Sequence, residues 1–144
     1  MINIDKSRLW KHEFINNVNI YYTSNFGFDK FKRIITDELN INECIEFLKD
    51  HEECFSIIIE TNKFILAFVD RVRSYPLFYS LNNFAISNNS RKLETETKEI
   101  NNEGKAHMYM AGYCLGIQTI FKDINQILPG SFLLYNKKNK KIDI

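Results

Sequence analysis

The densest apolar stretch of the chain, Cys54 to Asn88, reads as four short strands joined by turns. Cys54 to Glu60 holds Ile57, Ile58 and Ile59 in a row, Thr61-Asn62-Lys63 is a turn, and Phe64 to Val69 is a second apolar run. Leu77 to Ser80 and Phe84 to Ser87 flank Asn82-Asn83, a dipeptide that tolerates positive φ. Runs apolar at every position, not at alternate ones, predict strands covered on both faces. Upstream, Arg8 to Phe14 and Val18 to Thr23 flank Asn16-Asn17, which predicts a hairpin with Trp10, Phe14, Ile20 and Tyr22 as candidate buried residues. Asp29 to Ile35 fits a helical turn or a strand equally well.

Two helices complete the pattern. Asn40 or Asn42 caps a helix running to about Lys49, with Ile41, Cys44, Ile45 and Leu48 on one face and Glu43 and Glu46 near its positive end. A second begins at Asn102 and ends near Gly112 or Gly116, with Met108, Met110, Ala111 and Leu115 as its expected apolar face. Ser90 to Asn102 is a polar connection or a short surface helix. Phe132 to Tyr135 is a last strand, and Lys141 to Ile144 an edge strand after it. The order of elements fits an α+β plan of packed sheets and helices.

Composition narrows the function classes. The chain has 144 residues, 44% of them hydrophobic, which predicts one folded domain with a real core. A formal net charge of +1 gives no strong field for nucleic acid or membrane. The local run Lys137, Lys138, Lys140 and Lys141 is read as a solvated hairpin, with an anion site as the alternative. Cys44, Cys54 and Cys114 are odd in number and lack CxxC spacing, which argues for reduced thiols. MINIDKSRLW has no apolar signal-peptide core, and no apolar run reaches membrane-spanning length, so a soluble cytoplasmic protein is expected.

The stretch DRVRSYPLFYS, followed closely by FAISNN, resembles the asparagine synthase family. The N-terminal glutaminase domain of that family is a class II glutamine amidotransferase. It carries Asp-Arg, a short loop, Pro-Leu-Tyr-Tyr and a strand ending in Ser. Here those positions are Asp70, Arg71, Pro76, Leu77, Phe78, Tyr79 and Ser87, while Ser74 and Tyr75 stand where the family has a Gly and a basic residue. Further on, MYMAGYCLGIQTIFKDINQILPGSFLLYN is similar to the family's helix, Thr-x-Phe segment, Ile-containing turn and Pro-Gly strand, through Tyr113, Thr119, Phe121, Ile124, Leu128, Pro129 and Gly130. The likeness runs from about Cys44 to Asn136. It implies an αββα sandwich of two antiparallel sheets, like the N-terminal nucleophile hydrolases, shortened at the N-terminus and making residues 1–144 one amidotransferase-like domain.

The same resemblance sets expectations for chemistry. The family's nucleophile is a Cys directly after the initiator Met, whose α-amino group shuttles the proton. Here that position is Ile2, which has no nucleophilic atom. The family's Arg-Gly, Asn-Gly-Glu and Ser-Asp-x-Glu segments are not found either. Glutamine hydrolysis is therefore not expected. β-Lactam synthetases and lasso-peptide cyclases also keep this domain without the Cys, and this chain is closest to them in style. Their C-terminal domain uses ATP and Mg²⁺ to form an amide through an SGGxDS-type loop, which this chain lacks. The expected role is thus a scaffold for a synthetase domain or subunit in such a ligase. No cofactor is expected on this chain itself, and a peptide substrate is a further candidate partner. The alternative is a free-standing binding module that takes a peptide or protein at an edge such as Lys141 to Ile144.

The remaining chemistry-bearing residues carry paired readings. Asp70 and Arg71 brace the loop, or Arg71 or Arg73 grips a carboxylate or phosphate. The three cysteines pack in the core, or Cys114 pairs with His107 as a nucleophile in an active glutaminase. His12, His51 and His107 show no metal-ligand spacing.

Overall fold

The computed structural model describes residues 1–5, 9–23, 26–35, 39–93 and 99–144. Its strands in chain order are β1 Ile2–Asn3, β2 Trp10–Ile15, β3 Val18–Thr23, β4 Ser56–Glu60, β5 Phe64–Val69, β6 Phe78–Ser80, β7 Ala85–Ser87, β8 Ile124–Gln126, β9 Phe132–Asn136 and β10 Ile142–Asp143. The α-helices are α1 Phe28–Phe31, α2 Ile41–Lys49 and α3 Asn102–Ala111. The class is mixed α+β with two sheets, and the chain divides into two compact units. One unit is Met1–Asp5 with Pro76–Leu128; the other is Lys6–Tyr75 with Pro129–Ile144. Arg8, expected to open the first strand, and residues 94–98 of the polar connection lie outside the described residues. Among the described residues, no helix is long and apolar enough to cross a membrane.

The larger unit holds a six-stranded sheet in the order β10-β9-β5-β4-β3-β2, with every neighbouring pair antiparallel. The β2–β3 hairpin turns through Asn16 at φ 49° and Asn17 at φ 59°, the left-handed values that Asn tolerates best among residues with a side chain. At the sheet centre all of β5 is buried, because its alternate residues serve both faces. Ile57, Ile59, Leu66 and Phe68 point to one face and pack with Cys44 and Leu48 of α2. Ile58, Ile65, Ala67 and Val69 on the opposite face are buried too. Each buried Ile, Leu, Val or Phe among them contributes about 1.5–3 kcal/mol relative to exposure. α2 starts where its cap predicts: Asn40 Oδ1 accepts from the N–H groups of Asn42 at 3.0 Å and Glu43 at 3.4 Å. Asp29 to Ile35 resolves as helical, α1 followed by a 3-10 turn over Lys32–Ile34. Phe14 is not a core residue: β2 is an edge strand and leaves it 62% exposed.

The smaller unit holds the sheet β1-β7-β6-β8. β1 pairs parallel with β7, Ile2 beside Ile86 and Asn3 beside Ser87, whereas β6 is antiparallel to both β7 and β8. α3 is capped by Asn101, whose Oδ1 accepts from Glu103 N at 3.1 Å, and it ends at Gly112 with φ 77°. Its expected apolar face does not enter a core. The one buried residue of the helix is Gly104, while Tyr109 and Met110 are 81% and 88% exposed, and Met108 and Leu115 are exposed as well. The helix thus seats by backbone approach: a Cβ at Gly104 would lie 2.2 Å from the carbonyl oxygen of Thr119.

Candidate functional site

The motif residues fall into two groups, one in each unit. In the larger unit Asp70 follows the last residue of β5 and is 4% exposed. A buried carboxylate needs donors, and the backbone supplies them. Asp70 Oδ2 accepts from Phe55 N at 2.9 Å, and Oδ1 accepts from Val72 N at 2.8 Å and Ser74 N at 3.2 Å. Its main chain is equally engaged: Asp70 N donates to Phe55 O, and Asp70 O accepts from Arg73 N and from Gly130 N at 2.8 Å. The loop this ties is tight, with Arg73 at φ 55° and Gly130 at φ 64°. A Cβ on Gly130 would lie 3.6 Å from Arg71 Cα, so the Pro129-Gly130 turn and the Asp70-Arg71 turn lie against each other.

Arg71 is exposed, and one guanidinium nitrogen donates to Lys49 O at 3.1 Å. That carbonyl is in the last turn of α2, where a cation meets the negative end of the helix dipole. Burial holds the Arg73 guanidinium below its usual pKa. The oxygens of Asp70 face backbone donors, and Arg71 faces a backbone carbonyl. This arrangement fastens β5, the end of α2 and the start of β9 together.

In the smaller unit Leu77, Tyr79 and Ser87 are buried, and Pro76 is half-buried. Leu77 O accepts from Ile127 N at 3.0 Å, and Ser87 Oγ accepts from Asn89 N at 3.0 Å. Burial raises the Tyr79 hydroxyl pKa. Ile2 lies in β1, and the terminal amine of Met1 donates to Phe84 O at 2.6 Å. Position 2 therefore presents an aliphatic side chain on a sheet strand, with no atom able to attack an amide.

The thiols occupy three different environments. Cys44 is in the core, where burial pushes its pKa up to about 12. Cys114 is half-buried, raised by burial, and its Sγ lies 3.4 Å from Gly104 O. His107 Nδ1 accepts from Leu115 N at 3.4 Å, so this ring nitrogen serves a backbone amide. Cys54 does not pack in the core: β4 begins at Ser56, and Cys54 is exposed ahead of it. A disulfide-forming thiol reagent should label Cys54 first and Cys114 more slowly, and should reach Cys44 only on unfolding, as read by mass spectrometry of timed samples. Fast labelling of Cys44 in folded protein would contradict its place in the core. Among the described residues no cluster of three His, Cys, Asp or Glu is placed to hold a metal.

Two features of the smaller unit involve none of the residues matched to the family. Gln126 Nε2 donates to Cys114 O at 3.2 Å and Gly116 O at 2.6 Å, clamping the loop after α3, and a lone Gln gives no sequence signal for this. The second is an open groove of about 470 Å³ lined by Ile100, Lys105, Met108, Tyr109 and Ile120. Lys105 Nζ sits 5.8 Å from the centre of the Tyr109 ring. A signal for it exists: Met108, Tyr109 and Met110 are consecutive, and at about 100° per residue they cannot all face one core. No protein-family model matches the chain, and comparison with curated proteins likewise finds no match.

Proposed function

We propose that this chain is a glutaminase-like domain, without glutamine hydrolysis of its own, that serves as the scaffold of an ATP-dependent amide ligase of the asparagine synthase type. On this reading the fold is a shortened αββα sandwich of the N-terminal nucleophile kind, with β1 as the strand that would otherwise carry the nucleophile. The observation that carries the scaffold role is the apolar surface on and after α3. Ile100, Met108, Tyr109 and Ile120 are exposed and line one open groove within the smaller unit. Exposed apolar groups gathered in this way mark a surface that another protein covers. The domain that activates a carboxylate with ATP and Mg²⁺ is the partner this reading assigns to it.

Incubation with glutamine tests the first half of the proposal. Ammonia is expected to stay at the level of a protein-free control. Release abolished by a thiol reagent would instead make the chain a glutaminase with Cys54 or Cys114 as nucleophile.

A further inference from the structure

β2 is one edge of the six-stranded sheet, and its sequence from Trp10 to Phe14 runs aromatic, basic, His, acidic, aromatic. The two-residue turn makes Ile15 and Val18 the closing hydrogen-bonded pair of the hairpin. Alternation along an antiparallel ladder then gives Lys11, Glu13 and Ile15 the bonds to β3, and turns the N–H and C=O groups of Trp10, His12 and Phe14 outward. Among the described residues no other strand pairs with them. The His12 ring stacks on Tyr21 at 4.5 Å, with Nε2 3.1 Å from Asn19 Oδ1, so it lies over β3. Lys11, Glu13 and Phe14 are exposed.

We propose that this edge pairs antiparallel with the same edge of a second copy of the chain, about a twofold axis at His12. That register puts the outward backbone groups of Trp10, His12 and Phe14 opposite their counterparts. It also sets Lys11 of each copy across from Glu13 of the other, and Trp10 across from Phe14. Opposite charges and aromatic pairs placed directly across strands are the stabilising ones. A slip of two residues in one direction places Glu13 against Glu13, and in the other direction Lys11 against Lys11. The charges therefore select one register, and the twofold closes the assembly at two copies. A five-residue contact is small beside a standard interface of about 1,600 Å², so the dimer dissociates on dilution.

Sedimentation equilibrium over a concentration series tests this. The wild-type mass should rise from 17.1 kDa toward twice that value. Lys11→Glu and Glu13→Lys should each weaken the dimer by about tenfold or more, because each sets like charges across the strands at two places. The double variant Lys11→Glu/Glu13→Lys should restore wild-type dissociation. Both side chains are exposed, so the fold is expected to be unaffected, with circular dichroism as the check. A monomer at every concentration, single variants that dimerise like wild type, or a double variant as weak as the single ones would each overturn the proposal.

Discussion

Asp70→Ala is expected to lower stability by about 3–5 kcal/mol, the largest effect of any single substitution in the Asp70 loop. The carboxylate accepts from three backbone N–H groups, those of Phe55, Val72 and Ser74. Alanine leaves all three without their acceptor. Phe55 is fully buried, so its N–H bears the whole cost, about 1–3 kcal/mol. Val72 and Ser74 are exposed, so water recovers part of theirs. The two lost bonds flank Arg73, which sits at positive φ, so only its own N–H to the backbone oxygen of residue 70 is left to hold that turn. For a chain of this size about 3 °C of melting temperature corresponds to each kcal/mol, so a fall of about 10 °C is predicted. Asp70→Asn keeps one acceptor oxygen and should fall between. Arg71→Ala removes one exposed charge-assisted bond to the end of α2 and should cost only about 1 kcal/mol. A thermal melt of Asp70→Ala within 2 °C of wild type, allowing about that much for error, would show that the carboxylate does not fasten the loop.

The second large effect is at Gly104, where the usual rule reverses sign. Gly to Ala inside a helix ordinarily gains about 1 kcal/mol. At Gly104 the added Cβ would lie 2.2 Å from Thr119 O and 2.9 Å from Thr119 C, inside the 3.0 Å that real Cβ atoms respect. The obstacle is backbone and is itself held: Thr119 Oγ1 donates to Ile124 O at 2.7 Å, and Ile120 O accepts from Asn101 N at 2.9 Å. Relief requires α3 to move off the segment, and overpacking of this kind costs about 1–3 kcal/mol or more. A net loss of about 2 kcal/mol is predicted, with earlier amide exchange in α3 than elsewhere. Gly112 is the contrast, because nothing lies within 4 Å of its Cβ position and only its φ of 77° opposes a side chain. A melting temperature raised by Gly104→Ala would contradict the close approach.

These two positions also mark what sequence pattern can and cannot reveal. α2 was legible because its apolar side chains repeat at helical spacing and its cap is an Asn, both local properties. The β2–β3 hairpin was legible from Asn16-Asn17, and the centre of the large sheet from runs apolar at every position. α3 carried a cap and a C-terminal Gly, so its existence was legible, but its orientation was not. It seats through Gly104, and a missing side chain leaves no trace in a hydrophobic pattern. β1 has two residues and pairs with β7 more than eighty positions away, and β8 has three, so neither offers a period to read. Asp70 was singled out by its motif, yet the three amides it serves include Phe55, whose proximity exists only once β4 and β5 are paired. The apolar run that includes Cys54 continues two residues ahead of Ser56, where β4 begins, so the pattern places in the strand a residue that is exposed before it.

The central claim, that this domain exists to hold a carboxylate-activating domain, is tested most directly by native purification from the protein's own cells with intact-mass analysis. The account predicts that the chain is found with an ATP-binding, amide-forming domain, either on the same polypeptide or as a stoichiometric partner. Where the partner is separate, Tyr109→Lys in the exposed apolar groove should release it without unfolding the chain. A 17.1 kDa chain recovered with no ATP-binding partner would contradict the account.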